Sequence, residues 1–93
     1  MDELVPSEFY LSQNYPNPFK ERTTIKYCVP DKTSIKLTVL DSDMTIIKES
    51  INEIKEPGTY EVEFDAVGLP DAVYFYRLSA ENFVEIKEMV LMK

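Results

Sequence analysis

The feature that most constrains the fold is an alternation of apolar and polar residues with a period of two. It recurs in short segments whose apolar members are Ile25, Tyr27 and Val29, then Ile35, Leu37 and Val39, then Tyr60, Val62 and Phe64. Successive side chains of a strand point to opposite faces, whereas a helix needs apolar residues three and four positions apart. The spacing therefore predicts strands with one buried and one solvated face.

Turn-forming residues separate these segments at short intervals. The clearest turns are Pro30-Asp31-Lys32, Glu56-Pro57-Gly58, Gly68-Leu69-Pro70-Asp71 and Glu81-Asn82. With a short first strand over residues 9–13 and a last strand over residues 83–92, about seven strands fit the chain. The sequence predicts an all-β fold, an immunoglobulin-like sandwich of about seven antiparallel strands, with a small open barrel as the alternative.

Two segments depart from the simple alternation. Residues 72–80 are nearly all apolar, which is typical of a central strand covered on both faces. Residues 44–54 fit two structures, because one side of a helix capped by Asp43 would carry Ile46, Ile47, Ser50, Ile51 and Ile54. The β-branched isoleucines instead favour a strand or irregular structure, which is the interpretation we prefer.

Composition narrows the possible chemistry of this 93-residue chain, which has room for one domain. Without histidine it lacks Ser-His-Asp and Cys-His nucleophile systems and most zinc sites, and Cys28 alone cannot form an internal disulfide. The net charge of −7 repels a phosphate backbone, and charged residues interrupt every apolar stretch. We predict a domain that is not an enzyme, needs no cofactor, binds no nucleic acid and has no integral membrane segment.

Three sets of side chains have both a functional and a structural interpretation. The tyrosines that would stack on a sugar are Tyr15, Tyr27, Tyr60, Tyr74 and Tyr76, and their alternation within strands favours core packing instead. Asp41-Ser42-Asp43 offers oxygen ligands for calcium, but two carboxylates alone are more typical of a turn. The acidic residues Glu61, Glu63 and Asp65 are more typical of a solvated strand face than of a catalytic pair.

The most unusual run is Asn14-Tyr15-Pro16-Asn17-Pro18-Phe19, with two prolines and two asparagines in six residues. Proline fixes the backbone and cannot continue a helix, so the run predicts a rigid turn. We expect Tyr15 and Phe19 to pin this turn to the core. The run is thus interpreted as a structural clamp rather than a contact site.

Five segments together resemble one family. They are residues 11–19 (LSQNYPNPF), 23–27 (TTIKY), 57–62 (PGTYEV), 73–78 (VYFYRL) and 87–93 (KEMVLMK). In this combination the chain resembles the C-terminal sorting domain (type A) of proteins exported by the bacterial type IX secretion system. The resemblance runs from about Phe9 to the last residue and divides the chain into a linker or artificial start, residues 1–8, and a sorting domain, residues 9–93.

The resemblance implies a label that directs an upstream cargo domain through the periplasm and outer membrane to the cell surface or medium of Bacteroidetes-like bacteria. Its implied partners are the outer-membrane translocon and shuttle proteins of that system. The last strand, 83–93, is then the expected recognition element, because a strand at a sheet edge leaves backbone groups open to another strand. The expected recognition residues are Lys87, Met89, Val90, Leu91 and Lys93.

Two other functions stay open from the sequence. The chain could instead be a structural module of the same sandwich type, such as the immunoglobulin-like part of a flagellar hook-capping protein, which resembles the sorting-domain family in sequence. An accessory carbohydrate-binding or spacer domain beside a hydrolase is the third possibility.

Overall fold

The computed structural model describes residues 6–93, which form two antiparallel sheets. The strands are β1 (Tyr10–Leu11), β2 (Arg22–Val29), β3 (Thr33–Leu40), β4 (Ile46–Lys55), β5 (Gly58–Asp65), β6 (Ala72–Ala80) and β7 (Phe83–Leu91). One sheet has the order β1-β2-β5 and the other the order β4-β3-β6-β7. The predicted all-β, immunoglobulin-like sandwich of about seven antiparallel strands is confirmed. Residues 1–5 of the predicted linker lie outside the described residues.

The two sheets bury their facing side chains in one core. The alternation identified the inward residues of β2 and β3, since Ile25, Tyr27 and Val29 are at most 1% exposed, as are Ile35, Leu37 and Val39. The core also takes in Leu11, Phe19, Phe64, Ala66, Tyr74, Tyr76, Leu78, Met89 and Leu91. Burial of a large apolar side chain contributes about 1.5–3 kcal/mol, so this core is the main source of the sandwich's stability.

β6 lies between β3 and β7, but only one of its faces is buried. Tyr74 and Tyr76 point into the core, whereas Val73 is 37% exposed and Phe75 is half-buried on the opposite face. The prediction that this segment is covered on both faces is wrong, because the second sheet packs on one side only. The apolar outer side chains instead pack beside each other, and Phe75 lies opposite the buried Leu40 in the ladder.

Two other strands differ from their expected bounds. The first strand has two residues instead of the expected five. The ambiguous segment forms β4, an edge strand of ten residues, so the preference for a strand over a helix is confirmed. Its register with β3 shifts twice, between Leu37 and Thr38 and between Val39 and Leu40. These irregularities explain why the alternation is poor there. Residues 6–93 contain no helix long and apolar enough to cross a membrane.

Tyrosine hydroxyls fasten loops to the sandwich. The Tyr76 hydroxyl of β6 donates a hydrogen bond of 2.6 Å to the carbonyl of Ser12, which follows β1 in the other sheet. The Tyr74 hydroxyl donates to the Pro70 carbonyl at 2.6 Å. The Tyr27 and Tyr60 rings stack with their centroids 5.4 Å apart. Core packing therefore accounts for four of the five tyrosines considered for sugar stacking, all except Tyr15.

We expect the domain to lose stability as the pH rises from about 10 to about 12. Burial is the main cause that raises the pKa of both Tyr27 and Tyr76 from 10.0 to about 12 in the fold. Between these values the folded protein keeps protons that the unfolded chain releases, so unfolding is favoured as the pH rises. The stability that these two protonated tyrosines contribute is complete below the unfolded-state pKa of 10.0. It is lost above the folded-state pKa of about 12. Urea midpoints measured across this range should fall less steeply for Tyr27→Phe, and an unchanged slope in that variant would contradict the assignment.

We also expect the melting temperature to be the same with and without EDTA or a reducing agent. The core is apolar and Cys28 is a free thiol, so the sandwich is held by packing and hydrogen bonds. Differential scanning calorimetry at one pH provides the measurement. A fall of several degrees with either reagent would show that a metal or a disulfide supports the fold.

Candidate functional site

The opening segment, residues 13–19, lies beside the end of β7. Phe19 forms a parallel bridge with Leu91 of β7. Its N–H donates to the Val90 carbonyl at 2.9 Å, and its carbonyl accepts from the Met92 N–H at 2.9 Å. The opening segment thus adds a short parallel partner to the outer edge of β7, on the side opposite β6.

Two side chains of the opening segment extend this contact along β7. The Asn17 Oδ1 accepts the Val90 N–H at 2.9 Å, and the Gln13 Nε2 donates to the Glu88 carbonyl at 2.7 Å. Together with the Phe19 bonds they give partners to the Glu88 carbonyl, to the N–H and carbonyl of Val90 and to the Met92 N–H. These residues lie more than seventy positions apart in the chain, as the separation of 73 between Asn17 and Val90 illustrates. Sequence reasoning missed the contact because no local pattern links such distant positions.

A buried amide holds the opening segment in shape. Asn14 is 2% exposed, and its Nδ2 donates to the Pro16 carbonyl at 3.1 Å and to the Thr23 Oγ1 at 2.9 Å. The Thr23 hydroxyl in turn donates to the same Pro16 carbonyl at 2.9 Å. A buried polar group is costly unless it is hydrogen-bonded, so this closed network restrains the turn to one arrangement.

The two aromatic residues of the opening segment have different surroundings. Phe19 is 1% exposed and meets the Phe64 ring edge-on, with a centroid distance of 6.4 Å. Tyr15 is 80% exposed and contacts the sandwich through its backbone, which exchanges two 2.9 Å hydrogen bonds with Thr24. The expectation that Tyr15 pins the turn to the core is therefore wrong. The Tyr15 backbone pairs with the sheet, which leaves its ring in solvent, and Phe19 alone supplies the buried ring.

The five expected recognition residues lie in two environments. Met89 and Leu91 point into the core and are at most 1% exposed, so the folded domain does not present their side chains to a partner. Val90 is half-buried on the outer face. Lys93 is exposed, and its Nζ donates to the Leu69 carbonyl at 2.6 Å. Lys87 is half-buried and lies 3.5 Å from the Glu85 carboxylate.

The acidic groups considered for metal binding or catalysis serve turns and surface ion pairs. The Asp41 Oδ1 accepts the N–H groups of Asp43 and Thr45, both at 2.9 Å, which is the geometry of a side-chain-stabilised turn. On β5, Glu61 lies 3.6 Å from the Lys26 Nζ and Asp65 lies 3.5 Å from the Arg22 Nε. Within residues 6–93, histidine, cysteine and acidic side chains form no cluster of three or more able to hold a metal ion.

Comparison with known protein families gives a match that covers most of the chain. The model of the secretion system C-terminal sorting domain family matches residues 13–92, which begin in the opening segment and end just past β7. Neither the search of curated proteins nor the search of solved structures found a match. The matched region includes both sides of the contact between the opening segment and the last strand.

Replacement of Phe19 by alanine should lower the free energy of unfolding by about 3 kcal/mol, because a buried ring is lost from the core. Tyr15→Ala is the matched control, since it removes an aromatic ring that is 80% exposed and should change stability by less than about 0.5 kcal/mol. Both substitutions keep the backbone hydrogen bonds of the segment. Urea denaturation of the two variants provides the measurement, and equal losses would show that the Phe19 ring is not what anchors the segment.

Proposed function

Since this chain belongs to the family of secretion system C-terminal sorting domains, we propose that the secretion machinery binds it through its last strand, β7. Members of the family are sorting signals of the type IX secretion system. The domain accordingly acts without catalysis of its own, as the signal that directs an attached cargo to the cell surface or medium.

The position of β7 supports its role in recognition. It is an edge strand of the four-stranded sheet, so one side of its backbone faces away from the other strands. The opening segment occupies that side from Glu88 to Met92, and on that side no other part of residues 6–93 pairs with the stretch from Phe83 to Lys87. A partner that adds a strand would therefore pair with the first half of β7.

The second half of β7 would contribute side chains rather than backbone. Lys93 is exposed at its end, Val90 is accessible on the outer face, and Lys87 borders the open half. Met89 and Leu91 would act indirectly, because their burial keeps the strand in place. Lys87 and Lys93 lie at the two ends of the segment 87–93, whose other residues are apolar except for Glu88. Such a segment favours a partner with acidic groups beside an apolar surface.

The partners we propose are the outer-membrane translocon and the shuttle proteins of the system, on a route through the periplasm and outer membrane. Such partners would bind a folded domain, since the lysines are held by contacts within the fold. The Lys93 N–H donates to the Asp71 Oδ1 at 3.2 Å, and its Nζ is bonded to the Leu69 carbonyl.

A charge-reversal experiment tests this proposal. The domain is fused to a reporter and expressed in a bacterium that carries the type IX system. The variant Lys87→Glu/Lys93→Glu should reduce surface or medium delivery by about tenfold or more. Deletion of residues 90–93 is less informative, because it also removes Leu91 from the core and the bonds that Val90 and Met92 make with the opening segment.

The matched control is Lys32→Glu/Lys36→Glu, which changes the net charge equally at exposed positions whose ion pairs, with Glu56 and Glu49, are also on the surface. It should be delivered like the unmodified fusion. Melting temperatures establish that both variants fold. Equal delivery of the two variants would rule out the lysines of the last strand as recognition residues, whereas an undelivered unmodified fusion would contradict the sorting function itself.

A further inference from the structure

The open part of the β7 edge has a regular pattern of backbone groups. The bonds from the opening segment show that the backbone groups of Glu88, Val90 and Met92 point away from β6. Because strand backbones alternate with a period of two, the N–H and C=O groups of Val84 and Ile86 point the same way. The pairing of β7 with β6 runs without a register shift from Phe83 to Leu91, so this edge has no bulge.

Other parts of the chain bound the open edge of β7 at both ends. On one side the opening segment begins to cover the strand at Glu88, and on the other the chain turns at Glu81 and Asn82 into β6. The accessible stretch therefore extends from Val84 to Lys87, with Ile86 near its centre. At Glu88 the carbonyl already accepts from Gln13 but has a second lone pair to offer. An antiparallel copy of the same stretch has matching length.

The charged residues on either side of Ile86 are complementary to those of an antiparallel second copy. Glu85 and Lys87 flank Ile86 on the inner face of β7 and lie 3.5 Å apart. We propose that two copies of this chain associate edge to edge, with β7 pairing antiparallel to β7 of the second copy about a two-fold axis at Ile86. Glu85 of each copy then lies opposite Lys87 of the other, which gives two complementary pairs.

The charges also select this register over its neighbours. If the axis moves to residue 85, Glu85 faces Glu85 of the second copy. If it moves to residue 87, Lys87 faces Lys87. Like charges directly opposite each other destabilise a strand pair, so only the register centred on Ile86 places opposite charges together.

The remaining contacts fit this arrangement. On the outer face Ile86, 43% exposed, meets Ile86 of the second copy, and Val84, 62% exposed, lies beside the aliphatic part of the Glu88 side chain of that copy. The bonds of Val90 and Met92 with the opening segment are untouched, since these residues lie beyond the paired stretch. The two four-stranded sheets would become one continuous sheet of eight strands.

The other edge of the same sheet is unsuited to such pairing. β4 has two register shifts against β3, whereas β7 pairs with β6 without a shift. Bulges are one device that keeps edge strands apart. Self-association is thus directed to β7, which has no such irregularity and whose charge pattern is self-complementary.

Sedimentation equilibrium of the purified 93-residue chain at low salt, from roughly 10 μM to 1 mM, tests the proposal. The unmodified chain should show a monomer–dimer equilibrium. Glu85→Lys and Lys87→Glu each place like charges in both pairs and should weaken association at least about tenfold. The exchange variant Glu85→Lys/Lys87→Glu restores both pairs and should associate within about threefold of the unmodified chain.

A mixture of the two single variants gives the most discriminating test of the proposed register. Glu85→Lys and Lys87→Glu, each monomeric alone, should form a heterodimer when combined, because every lysine then faces a glutamate. Failure of the mixture to associate, single variants that dimerise like the unmodified chain, or an unmodified chain that stays monomeric at roughly 1 mM would each overturn the proposal. The experiment contains no secretion component, so its outcome is independent of the recognition role proposed for β7.

Discussion

The placement of the last strand against the opening segment depends on the backbone hydrogen bonds that Phe19 makes with Val90 and Met92. They join the beginning of the domain to its end, and the buried Phe19 ring carries the join into the core against Phe64. A backbone bond alone contributes only about 1 kcal/mol net, but here the bonds and the burial of one ring act at the same place. The Asn14 network then fixes the shape of the turn that brings Phe19 there. Order in the last strand is therefore linked to order in the opening segment.

The contact between the opening segment and β7 also gives the two halves of β7 different roles. Its second half is a structural element whose outer backbone is paired with the opening segment. None of the described residues pairs with the outer backbone groups of its first half, which also has exposed apolar side chains. Recognition by the secretion machinery and association of two copies would both use the first half. The two cannot occur at once on the same strand, so a dimer would withhold the domain from a strand-adding partner, and a weak dimer would release it upon dilution.

The sequence predicted most of what local periodicity determines. The inward side chains of β2, β3 and β5 follow from their alternation, because a strand with one solvated face requires it. Apolar composition was misleading for β6, since Val73 and Phe75 lie on an outer face and apolar side chains are common at protein surfaces. The prediction that the Tyr15 ring pins the turn to the core was wrong, because a rigid turn can bury one aromatic ring and expose another. The contact of Asn17 with Val90 has no local signature, and the expected site residues Met89 and Leu91 could be assigned to the core only when the facing sheet was known.

The separation of 73 residues between Asn17 and Val90 has a consequence for the order of events during synthesis. The opening segment leaves the ribosome long before β7 does, and until then Phe19 has neither its backbone partners nor a complete core to enter. Long-range pairing of this kind makes folding slow, because the chain must close a large loop before the contacts form. A cargo that precedes this domain would emerge and begin to fold while the sorting domain is still incomplete. The signal would thus become readable only after the cargo attached to it has been made.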